Sequence, residues 1–104
     1  MIQASLKTPR AIRLLRQLID SGELDRETLA RELVTEPRRI EAYAGGTREM
    51  PLDRQLCLAL LVIERVPALA RQGHALRGQV IAAIAFASHD IITDAAPRTF
   101  ARGR

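Results

Sequence analysis

A chain of 104 residues with a formal net charge of +4 has room for one domain with a modest core. It is 47% apolar yet only 3% aromatic, so Ala and Leu must supply that core, and they favour helices over strands. A single cysteine, Cys57, excludes an intramolecular disulfide, and no run of about 18 apolar residues marks a membrane span.

The opening MIQASLKTPR lacks the apolar core of a signal peptide, and a soluble cytoplasmic protein is expected. The sequence pI near 10.5 favours an anionic partner in general terms. Fifteen of the sixteen basic residues are Arg, Lys7 being the exception. Their distribution is uneven. Residues 1–24 carry four positive and two negative side chains, residues 25–49 five and six, and residues 50–104 seven and four.

The first helix is announced by Thr8 as N-cap and Pro9 at the first helical position, where a missing N–H costs nothing. Ile12, Leu15, Leu18 and Ile19 recur at helical spacing, and Gly22 stops the helix. Asp25 caps a second helix, with Leu24 and Leu29 as a hydrophobic staple. Leu29 and Leu33 face inward there, and the small Ala30 beside them permits a close helix crossing. Pro37 opens a third helix that runs to about Ala44 and ends at Gly45-Gly46.

Pro51 starts a fourth helix, with Leu52, Leu56, Ala59, Leu60 and Ile63 on one face and Pro67 closing it. Cys57 falls in its apolar run and reads as a small buried hydrophobe. After a break at Gly73 comes a fifth helix over 75–88, whose Val80, Ile81, Ile84 and Phe86 spread over more than one face. Such a helix either closes the core over the first and fourth helices or is shared with a second subunit. Residues 1–92 thus form one helical domain, and 93–104 a mobile basic tail. The tail's Arg98, Arg102 and Arg104, with Phe100 between them, form either a phosphate-gripping arm or a solubilising end.

The stretch LARELVTEPRRIEAYAGGTREMPLD resembles the common run of the phage-repressor and Cro-type (XRE-like) helix-turn-helix family. The matching positions are Leu29, Ala30, Leu33, Pro37, Ile40, Tyr43, Gly46, Arg48 and Pro51, and the resemblance covers roughly residues 8–66. It implies an all-α, five-helix, lambda-repressor-like bundle whose recognition helix, about residues 36–44, enters the major groove of double-stranded DNA. Carried over residue by residue, it implies that Arg38, Glu41 and Ala42 point at base edges. Arg39 reaches either bases or a phosphate, and Arg26, Thr47 and Arg48 contact the backbone. Two positions depart from the family. Val34 stands where its turn carries glycine, and a β-branched residue tolerates positive φ poorly. Glu36 replaces a small hydroxyl cap.

The bland reading of each Arg is a solvated side chain paired with Glu32, Glu36 or Glu41. Tyr43 reads as a core anchor with Ile40 and Leu33. His74 and His89 have no acidic or thiol companions at ligand spacing, and no nucleophile has a base beside it. No metal, cofactor or catalysis is expected. The readings in contention are a homodimeric DNA-binding regulator pairing through residues 75–88, and a protein-interaction module, adaptor or antitoxin-like, on the same scaffold. A mixed form would dock its fifth helix on the transcription machinery.

Overall fold

The computed structural model of the chain describes residues 9–103, with side chains from Pro9 to Ala87. Five helices follow in order: α1 (Pro9–Ser21), α2 (Arg26–Glu32), α3 (Pro37–Gly45), α4 (Leu52–Arg65) and α5 (Ala70–Gly103), with one 3₁₀ turn at Pro67–Leu69. No strand lies among the described residues. Thr8, the expected cap of α1, and the arm residues Arg98, Arg102 and Arg104 lie outside the described side chains.

Local chemistry places most of the breaks. Gly22 ends α1 at φ 79°, a left-handed conformation that glycine adopts without a Cβ clash. Asp25 caps α2 by accepting a 2.8 Å hydrogen bond from the Thr28 backbone N–H. That bond, with one from the Thr28 side chain, holds the Asp25 carboxyl below its ordinary pKa of 3.8. Pro37 is the first residue of α3, where its absent N–H would have had no helical partner.

The core joins all five helices. Ala11, Leu14, Leu15 and Leu18 of α1 pack with Leu29, Ala30 and Leu33 of the α2 region, Ile40 and Tyr43 of α3, Leu58, Ala59 and Val62 of α4, and Leu76 and Val80 of α5. Ala30 and Ile40 are both buried, as a close crossing of α2 and α3 requires.

The structure corrects the reading of α4. Its buried residues are Leu52, Gln55, Leu58, Ala59, Leu61 and Val62, so Leu52 and Ala59 face inward as expected, while the centre of the stripe is turned by nearly one residue, or about 100°, from the expected face. Leu60 is therefore 46% exposed, and Cys57 is exposed rather than buried. The rotation puts Gln55 inside, where its Nε2 donates to the Met50 carbonyl at 2.8 Å. This bond ties the α3–α4 connection to the second of those helices and satisfies a donor that would be costly to bury unpaired.

Gly73 is likewise not a break. α5 starts at Ala70 and runs through it, because α4 and α5 cross there. A Cβ on Gly73 would lie 2.9 Å from Ile63 Cγ1, 3.1 Å from the Ala59 carbonyl oxygen and 3.2 Å from Val62 Cγ1. Among the described side chains of α5, Gly73, Leu76 and Val80, with Ala83 packed at the margin, form the inward stripe. The helix does close the core over α4 and α1, but Ile81, Ile84 and Phe86 stay exposed, Phe86 at 71%.

Candidate nucleic-acid interface

The turn between α2 and α3 is the most informative piece of backbone. Val34 adopts φ 56°, and it is the one non-glycine with positive φ among the described residues. The Thr35 N–H donates to the Ala30 carbonyl at 2.8 Å, and the Val34 N–H to the Arg31 carbonyl at 3.3 Å. This pair of bonds is a Schellman helix end. The same motif recurs at the exit of α3 with Gly46 at φ 79°: Thr47 N–H to Ala42 carbonyl, 3.0 Å, and Gly46 N–H to Tyr43 carbonyl, 3.1 Å. Two helix ends thus share one geometry, one with glycine and one with a strained valine. The Val34 side chain is 74% exposed, so burial does not compensate the strain. Arg54 of α4 helps to hold the turn, its Nη2 donating to the Val34 carbonyl at 3.2 Å while Nη1 binds Asp53 at 2.9 Å.

α3 buries Ile40 and Tyr43, which turns Arg38 and Glu41, three residues apart, outward together. The structure brings Arg26 to this face as well: its Nε lies 2.9 Å from Glu41 Oε2. Arg38 is 87% exposed, and its Nε donates to Glu36 Oε1 at 2.8 Å. Glu36 caps α3 with its backbone only. Its carbonyl accepts from the Arg39 and Ile40 N–H groups at 2.9 and 3.1 Å, while its carboxylate makes no cap bond.

The other expected contacts lie off this face. Arg39 and Ala42 are half-buried on the flanks of α3. Thr47 turns back on the helix, its hydroxyl donating to the Ala42 carbonyl at 3.3 Å. Arg48 is exposed beyond the helix end. Neither Arg39 nor Arg48 has an ion-pair partner among the described residues. A shallow cleft of about 250 Å³ beside the Arg26–Glu41 pair is lined by Arg16, Ile19, Asp20 and Ala44, two positive and two negative side chains in all. Its balance makes it a poor anion pocket.

Sequence reasoning missed three arginines that fasten α2, α3 and the turn between them. Arg16 of α1 donates through Nε to the Ala44 carbonyl, placing a positive charge at the negative end of α3. Arg54 grips the turn, and Arg65 of α4 binds Glu32 of α2 at 3.0 Å. Their partners lie 28, 20 and 33 residues away, beyond any local pattern. Gln55 did leave a signal, being three residues after Leu52 and four before Ala59.

What the described residues define is a mostly helical protein, with five helices among them and a short outward helix held between a strained turn and a glycine exit. No protein family, curated protein or solved structure matches the chain. Among the described residues no cluster of His, Cys, Asp or Glu could hold a metal ion, and no helix is long and apolar enough to cross a membrane.

Proposed function

We propose that this protein is a sequence-specific DNA-binding regulator that uses α2 and α3 as a helix-turn-helix and inserts α3 into the major groove. The observation that carries this reading is the turn itself. Val34 keeps a left-handed backbone that its side chain disfavours, so the tertiary arrangement of α2 and α3 demands that geometry. The outward face so presented carries Arg38 and Glu41, with Arg26 alongside and Arg48 past the exit. Arg38 and Glu41 take the base-reading role with Ala42 at the margin; Arg26, Arg39, Thr47 and Arg48 serve the phosphates. The exposed Ile81, Ile84 and Phe86 of α5 support a homodimer whose two α3 helices meet successive major grooves, about 34–36 Å apart.

A mobility-shift titration of the full chain against short genomic duplexes tests the reading. Arg38→Ala is expected to weaken binding roughly tenfold on the preferred duplex. Arg48→Ala should weaken all duplexes alike and lower the salt slope by about one. Undiminished binding by both variants removes these roles.

A protein-interaction module on the same scaffold is the second reading. It draws support from the Arg26–Glu41 and Arg38–Glu36 pairs, which balance charge on the face meant for phosphates. An apolar partner, the transcription machinery included, would bind with little response to salt, whereas a phosphate-binding face loses affinity steeply between about 50 and 200 mM.

A further inference from the structure

We propose that Glu36 and Glu41 are specificity determinants that direct α3 to G·C base pairs: Glu36 presents Arg38 to guanine, and Glu41 reads cytosine. This rests on the DNA-binding reading above and adds the base chemistry that the face accepts.

Both ion pairs on this face are made through Nε, the inner edge of the guanidinium. An Arg held there still has its two terminal nitrogens. For Arg38 no other described residue engages them, and the side chain is 87% exposed. A planar fork with two free N–H donors matches the O6 and N7 acceptors of guanine. Holding the fork by its inner edge restricts a long side chain before binding, and so lessens the entropy lost on contact.

Glu41 shares the outward side of α3 with Arg38. Its Oε2 faces Arg26 Nε at 2.9 Å, and the carboxylate keeps acceptor capacity at its other oxygen. The major-groove donors are the amino groups of cytosine N4 and adenine N6, and a carboxylate suits cytosine because adenine sets its N7 acceptor beside the donor, where the second carboxylate oxygen is repelled. The same carboxylates disfavour a purely phosphate-bound mode. Residues 25–49 carry five positive and six negative side chains, so the phosphate contacts of Arg26, Arg39 and Arg48 are offset in part by repulsion from the carboxylates. Discrimination then comes from matched base edges, and a mismatched duplex leaves the second oxygen of Glu41 without a donor.

The test uses the full chain and the Glu36→Gln, Glu41→Gln and Arg38→Ala variants in a selection from a pool of random-sequence duplexes. Fluorescence anisotropy on the selected and on a scrambled duplex follows, and thermal melting verifies that each variant is folded. Wild type is expected to enrich adjacent G·C pairs. Glu41→Gln should change one selected cytosine to adenine, because a carboxamide pairs with adenine N6 and N7. It should also bind the scrambled duplex about threefold more tightly, having lost one charge that opposes phosphate. Glu36→Gln should relax the guanine preference in part, and Arg38→Ala should abolish it. Should both glutamine variants select the same bases as wild type, with the same ratio of selected to scrambled affinity, this inference fails while DNA binding stands. A wild-type chain that binds no duplex at all overturns the DNA-binding reading and this inference together.

Discussion

Val34 and Gly46 form an internal comparison at the scale of single residues. Both terminate a short helix with the same pair of backbone bonds, and both have positive φ, 56° and 79°. For an L-residue the left-handed region costs roughly 1–2 kcal/mol, while glycine there loses more freedom on folding, about 0.4–1 kcal/mol. Val34→Gly is therefore expected to raise stability by about 0.5–1 kcal/mol in urea denaturation. Gly46→Ala, whose Cβ would meet nothing within 4 Å, should lower it by about 1 kcal/mol for backbone reasons alone. Equal responses at the two sites would show that the turn relaxes when freed. Asp25 adds a pH dependence. Its carboxyl is held below 3.8 by Thr28 in the folded chain, so its stabilising effect is complete above the unfolded value and is lost as pH falls through the lower folded one. The melting temperatures of wild type and Asp25→Ala should differ at pH 6, and the gap should narrow progressively as pH falls below 3.8; a constant gap would mean that the cap does not titrate.

Between elements, the crossing of α4 and α5 separates two glycines that look alike in sequence. Each lies inside α5, where alanine is the better helix former by about 0.5–1 kcal/mol. Gly78 has open space around its missing Cβ, so Gly78→Ala should gain that amount. At Gly73 the nearest obstacles include the Ala59 carbonyl oxygen at 3.1 Å, which belongs to the α4 backbone and cannot turn aside. Gly73→Ala should instead destabilise by roughly 1–3 kcal/mol, measurable as a shift in denaturation midpoint at unchanged slope. A gain at both positions would mean that the two helices are free to separate. The crossing matters to the candidate site because α4 carries Arg54 and Arg65, which hold the Val34 turn and α2.

For the molecule as a whole, the +4 net charge does not reside on the face proposed to meet DNA. Residues 1–24 and 50–104 carry the excess, and the α2–α3 unit is slightly acidic. Long-range steering toward a polyanion would then come from the body of the protein, and discrimination from α3. The other whole-molecule question is association. Ile81, Ile84 and Phe86 lie exposed on α5 beyond its core stripe, and a second copy placed there would cover them. Sedimentation equilibrium should find a dimer for the full chain and a monomer for Ile84→Asp combined with Phe86→Ser. A monomeric wild type would leave α3 to bind DNA singly.

The helix boundaries at Gly22, Asp25, Pro37, Gly46 and Pro51 were all legible in the sequence, as were the inward Leu29, Ala30, Ile40 and Tyr43. Each such choice is made within one helical turn, by a missing N–H, a short polar cap or the lack of a Cβ, so neighbouring residues suffice to determine it. Only the tertiary structure decided that Gln55 faces inward while Cys57 and Leu60 face out, that Gly73 is a contact and not a break, and that Val34 bears positive φ. It also chose the partners of Arg16, Arg54 and Arg65. Those outcomes depend on where a second helix lies against the first, and distant segments settle that by packing together.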